Sequence, residues 1–144
     1  MGTWKISENQ LIMPQLTKKE IEEILARKPE SRYKYFIRVV AAEEEVWGLA
    51  DDEGWLMLEI EGEEGDALAV FPNQEFVEIF QKEGGFDEFR IEALDLYEFF
   101  EWLEDFEEQK MKVAVFPTPN FQSAVMRPEV VREDFEAEFA KEQE

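Results

Sequence analysis

Val46-Trp47-Gly48-Leu49-Ala50 runs into Asp51-Asp52-Glu53-Gly54 and on into Trp55-Leu56-Met57-Leu58-Glu59-Ile60. Two apolar runs around a short acidic turn containing glycine predict a β-hairpin. A second turn, Glu61-Gly62-Glu63-Glu64-Gly65-Asp66, leads to Ala67-Leu68-Ala69-Val70-Phe71, so the stretch reads as a three-stranded meander. Such a sheet needs another layer on its apolar face, and the flanking sequence supplies helices for it.

Upstream, Thr17-Lys18-Lys19-Glu20 is a capping box, a hydroxyl at the N-cap and a carboxylate three residues on. Ile21, Ile24 and Leu25 follow at helical spacing. Pro29 is expected to end that helix and Ser31 to cap a second, whose apolar stripe is Tyr33, Phe36, Ile37 and Val40. The reading is a helix pair over 17–27 and 31–42. Before it, residues 1–16 read as an irregular arm, with Trp4, Leu11, Ile12 and Leu16 available to dock on the body.

Downstream, Pro72 sits where a helix can begin. Phe76, Val77, Ile79 and Phe80 then read as a short helix closed by Gly84-Gly85. Phe89 to Ala93 reads as a strand. Asp95 caps the clearest helix in the chain, with Leu96, Phe99, Phe100, Trp102, Leu103 and Phe106 on its apolar side. Glu98, Glu101, Glu104, Asp105 and Glu108 form the other side, with no lysine at i+4 within the helix to pair with. Met111 to Phe116 reads as a strand and Gln122 to Met126 as its neighbour, across Pro117-Thr118-Pro119-Asn120. Pro128 opens a last helix carrying Val131, Phe135 and Phe139. The expected fold class is α+β: an N-terminal helix pair, a mainly antiparallel or mixed sheet of about five or six strands, and helices on one face. Residues 17–140 form one domain in this reading, and 141–144 a frayed tail.

The 144 residues contain no cysteine and no histidine. This removes thiolate metal sites, a cysteine nucleophile, the usual general base and the commonest metal ligand. The serines are Ser7, Ser31 and Ser123, and no nucleophile–base pair is visible among them. The expectation is therefore no catalytic residue, no metal site and no cofactor. Only oxygen ligands remain for a cation, and the turns Asp51–Gly54 and Glu61–Asp66 lack the alternating carboxylates of an EF-hand loop. Met1 to Pro14 holds one basic residue, Lys5, and only a short apolar stretch, Leu11 to Met13. No secretory leader and no membrane span is expected, which points to the cytoplasm.

The formal net charge is −21. Residues 1–45 carry eight basic and eight acidic residues, and residues 46–144 carry seven and 28, so the whole excess lies in the second segment. Direct nucleic-acid binding is not expected, since phosphate repels such a surface. The basic run Arg27, Lys28, Arg32, Lys34 and Arg38 reads as the solvated face of one helix. The acidic excess reads either as solubility or as a docking surface for a basic partner, with Glu98, Glu101, Glu104, Asp105 and Glu108 as the candidate interaction surface.

Ala69-Val70-Phe71-Pro72 is echoed by Ala114-Val115-Phe116-Pro117, each followed after three residues by phenylalanine. The echo reads first as two adjacent core strands that leave the sheet in the same way. Its functional alternative is a groove at both strand ends, lined by Phe71, Pro72, Phe116, Pro117 and Thr118. Sequence leaves the isomer of the two Phe-Pro bonds open. Tyr35, Trp47 and Trp55 are candidate exposed aromatics, the alternative being that they pack inward.

Arg32-Tyr33-Lys34-Tyr35-Phe36-Ile37, Glu45-Val46-Trp47-Gly48-Leu49 and Gly54-Trp55 form an ordered set with Val70-Phe71-Pro72, Phe100-Glu101-Trp102-Leu103 and Lys112-Val113-Ala114-Val115-Phe116-Pro117-Thr118. Over roughly residues 16–137 this set resembles an uncharacterised bacterial family, the domain of unknown function numbered 2750. The acidic loop Glu61–Asp66 departs from the family's pattern. The C-terminal half is also similar in element order to the N-terminal domain of serine-sensitivity-enhancer-like proteins, which implies an α+β interaction domain. Neither resemblance brings catalytic residues. The leading functional expectation is a non-catalytic module that binds a protein with a basic surface. The alternatives are a small-molecule or enzymatic site at the two Phe-Pro strand ends, and a structural homodimer in which the basic run meets the acidic side of a second copy; the chain is taken as monomer or homodimer.

Overall fold

In the computed structural model residues 16–63 and 65–142 are described. The expected arm, with Trp4, Leu11 and Ile12, and the end of the expected tail lie outside them.

Helix α1 spans Lys18–Leu25 and starts on the capping box: the Glu20 amide donates to Thr17 Oγ1 at 3.1 Å, and the Thr17 amide donates to Glu20 Oε1 at 2.8 Å. Helix α2 spans Pro29–Glu43. Pro29 thus opens this helix rather than ending the previous one, because a missing N–H costs nothing in a first turn. Ser31, the expected cap, lies inside the helix. α2 ends at Glu44, whose φ of 62° turns the chain directly into strand β1, Glu45–Asp51.

The meander is present, with its second strand broken in two: β2 is Gly54–Trp55 and β3 is Met57–Glu59. Leu56 between them serves both sides. Its amide donates to Leu49 O at 2.8 Å, and its carbonyl accepts from Ala69 N at 3.2 Å. Strand β4, Asp66–Val70, is followed by helix α3, Gln74–Gly84, and strand β5, Arg90–Asp95. Pro72 does not start α3. It is buried two residues ahead, and Asn73 is the N-cap. Helix α4, Leu96–Gln109, leads to β6, Lys112–Val115, then β7, Ala124–Met126, and helix α5, Pro128–Glu142.

The class is α+β, but the strands divide into two sheets, β2-β1-β5 and β3-β4-β6-β7. Leu56 and a bridge between Trp47 and Phe71 join the two. β1 pairs antiparallel with β5 over six residues, from Glu45↔Asp95 to Ala50↔Arg90. β4 and β6 are parallel, and their register places Ala69 beside Ala114 and Val70 beside Val115. The Ala-Val-Phe-Pro echo is therefore two neighbouring strands that carry the same residues in register and leave the sheet together.

Phe36, Phe71, Phe76, Phe80, Phe99, Phe116 and Phe135 are fully buried. Helices α2, α4 and α5 meet through rings, with Phe36–Phe135 at 6.0 Å and Phe99–Phe135 at 6.4 Å between centroids. Truncating any one of these side chains removes on the order of 3–5 kcal/mol. This core fixes which face of α4 remains in water.

Candidate interaction surface

α4 is capped by Asp95, whose Oδ2 accepts from Tyr97 N at 3.0 Å. Leu96, Phe99 and Leu103 are buried. Trp102 meets Trp55 edge to face at 5.4 Å, and Phe100 packs on Phe135 and Phe139. With that side committed, Glu98, Glu101, Glu104, Asp105 and Glu108 all face solvent. Among the described residues none of the five is in a salt bridge, whereas Glu107 on the flank lies 3.7 Å from Arg132. Like charges at i+3 and i+4 oppose the helix by ~0.2–0.5 kcal/mol per pair. The helix also carries no base in its last turn to offset its dipole. α4 thus keeps its carboxylates at a cost to its own stability.

Tyr97 stands at the head of this face and is 56% exposed, with its ring edge-on to Phe100 at 6.1 Å. Sequence reasoning missed it, although its spacing to Glu101 and Glu108 (four and eleven residues on) places it on the acidic side. The aromatics nominated instead lie elsewhere. Tyr35 is 8% exposed, a correction with a clear cause. Its ring is held between Arg27 and Arg38 and against Phe76 and Phe116, and its hydroxyl reaches Asn73 Oδ1 at 3.4 Å. Burial raises its pKa, with Arg38 opposing. Trp47 and Trp55 are half-buried against the core. Trp55 lies over Gly48, where there is no side chain to displace it.

At the strand ends, Phe71, Pro72, Phe116 and Pro117 are buried, and Thr118 is 6% exposed. Both Phe-Pro bonds are trans. Phe76 and Tyr35 fill the space beyond the strands, at 4.6 and 6.2 Å from the Phe116 ring. These residues are brought together, but as packing. Thr118 organises the loop behind them: its hydroxyl pairs with Asn120 Oδ1 and accepts from Gln122 N at 3.2 Å.

Arg32, expected on the solvated face of its helix, is instead 1% exposed. The signal was present, since Arg32 falls one turn before Phe36 on the stripe that continues through Val40. Tyr33, also buried, donates to Asp134 Oδ2 at 2.5 Å and so ties α2 to α5. Burial raises its pKa first, and the bond to Asp134 adds to this.

A cavity of about 470 Å³ between α2 and α5 is lined by Tyr33, Lys34, Arg38, Asp134, Glu138 and Lys141. Another of about 420 Å³ beside α1 includes Lys19, Glu20, Glu23, Arg27 and Tyr35. Both mix charges of either sign, and Arg27 is already paired with Glu23 at 2.8 Å, so neither selects a ligand by charge. Among the described residues no group of three or more carboxylates is placed to hold a metal ion. No described helix is long and apolar enough to cross a membrane.

A family model described as Protein of unknown function (DUF2750) matches residues 33–135. The match runs from the second turn of α2 into α5 and takes in both sheets and the acidic helix. No curated protein matches the chain significantly.

Proposed function

The chain belongs to the DUF2750 family of proteins of unknown function, and from that premise we propose that it is a non-catalytic cytoplasmic module that docks a basic protein surface on the outer face of α4. The reading is supported by one observation above all. Glu98, Glu101, Glu104, Asp105 and Glu108 are exposed together, without ion pairs among the described residues, on a helix whose other side is fixed by Phe99, Leu103 and Trp102. A rigid row of unpaired carboxylates attracts lysine and arginine without having to reorganise. Tyr97 at its head offers an aromatic face to a cation or an apolar stem.

The burial of Phe71, Pro72, Phe116 and Pro117 gives a small-molecule site at the strand ends no support. A homodimer through the basic run is disfavoured because Arg32 is buried, Arg27 is engaged by Glu23, and two copies each carry −21.

The test is capture of partners from native lysate at low and moderate salt, by the wild type and by a variant with Glu98→Lys, Glu101→Lys and Glu104→Lys. A basic protein held at low salt, released as salt rises and lost in the variant is the expected result. Capture unchanged by the triple reversal overturns the assignment of this face.

A further inference from the structure

Arg32 donates only to main-chain carbonyls: Nε to Phe116 O at 3.2 Å, one terminal nitrogen to Arg27 O at 2.5 Å, and the other to Gln122 O at 2.8 Å. Its guanidinium lies 5.7 Å from the Phe116 ring centroid. Among the described residues no carboxylate is in ion-pair contact with it. A guanidinium stays charged in proteins, so a buried cation is stabilised here by carbonyl dipoles and one ring face. Leaving such a charge without its acceptors is strongly unfavourable.

The three acceptors come from two places. Arg27 sits at the corner between α1 and α2, while Phe116 and Gln122 are the two ends of the loop joining β6 to β7. That loop is further closed by Thr118 N to Gln122 O at 3.0 Å and Phe121 N to Thr118 O at 2.7 Å. It holds two non-glycine residues at positive φ, Phe116 at 54° and Phe121 at 63°. Such conformations persist only where the surroundings impose them. At its tip Phe121 is 52% exposed, edge-on to Phe80 at 5.8 Å and to Phe86 at 6.3 Å.

We infer that Arg32 is a latch coupling the α1–α2 corner to the Phe116–Gln122 loop, so that the loop presents Phe121 only while α1 is docked. One planar fork serves both ends. When α1 is seated through buried Ile24, the Arg27 carbonyl fixes the fork, and the remaining donors fall on Phe116 and Gln122. When α1 lifts, that acceptor is lost, the fork turns towards water, and the loop loses the donors that hold its ends. The coupling is independent of docking on α4.

The test is residue-resolved amide hydrogen exchange on the full chain as wild type, R32K, I24A and the double variant. A lysine keeps the charge but cannot reach three carbonyls. R32K is expected to speed exchange at Phe121 and Gln122 by about tenfold or more, the loss of one or two charge-assisted bonds. I24A is expected to speed the same two amides by a similar factor. The amides of Ala69 and Ala114 in the paired strands should change only as far as global stability does. Because both substitutions open one latch, the double variant should exceed neither single one. Effects that multiply, or loop amides untouched by either substitution, overturn the inference. If I24A fails to fold, T17A loosens α1 by removing its cap and is read in the same way.

Discussion

Trp55 lies across Gly48 so closely that a methyl group on the Gly48 Cα would fall 2.4 Å from Trp55 Cζ3 and 3.2 Å from the Ala69 carbonyl oxygen. The indole is backed on another side by Trp102, edge to face at 5.4 Å between centroids. A strand glycine and two tryptophans therefore fix the distance between β1 and α4.

Gly48→Ala should destabilise the protein by about 1–3 kcal/mol, as overpacking of a close contact does. The urea midpoint reads this. In a Trp55→Leu background the same substitution should cost much less, because the obstructing ring is gone. An equal cost in both backgrounds would remove the contact as the cause.

Tyr33→Phe should lower stability by about 1 kcal/mol, since Asp134 loses its donor. Tyr33 and Tyr35 both have pKa values raised by burial. Above about pH 10 the unfolded chain releases these protons while the native state retains them, so stability is intact below that pH and falls as pH rises past it. Denaturation midpoints taken from neutral pH to above about pH 10 should show the fall, with a shallower slope for Tyr33→Phe.

Glu101→Lys turns its contacts with Glu98, Glu104 and Asp105 from repulsive to attractive. It should stabilise the fold by about 1 kcal/mol at low salt, a gain that fades in concentrated salt. The same change should weaken capture of a basic partner. Stability up and binding down is the expected pair, and binding that follows stability would point away from this face.

Phe116→Ala should cost about 3–5 kcal/mol. It deletes a ring packed on Phe76, Tyr35 and the Arg32 guanidinium. Phe121→Ala, whose ring is half in water, should cost far less. Thermal melts of the pair separate the buried end of the loop from its exposed tip.

Much of this was legible in the sequence. The capping box at Thr17, the hairpin around Gly54 and the two-sided pattern of α4 are local signals, and each element forms where those signals place it. Pro29 was misassigned because a proline ends one helix and opens the next with the same chemistry. The break at Leu56 was invisible, since both halves of that strand are apolar and only the third dimension shows that they belong to different sheets. Arg32 and Tyr35 were misplaced for one reason. α2 is buried on most of its circumference, so residue polarity no longer marks its wet side. The acidic face was legible residue by residue, but Tyr97 at its head was passed over, because an aromatic is ordinarily expected inside.

The in-register pairing of Ala69-Val70 with Ala114-Val115 bears on how fast the chain reaches its fold. Parallel neighbours cannot form by a tight turn, so α3, β5 and α4 must be gathered before β6 finds β4. Closing so long a stretch of chain before any reward is slow. The meander can assemble early, while β6, β7 and the loop held by Arg32 come late. Until they do, the edge of β4 stays open to strands from other molecules. A surplus of 21 negative charges keeps those molecules apart in the interval, and so guards the unfinished chain as well as the finished protein.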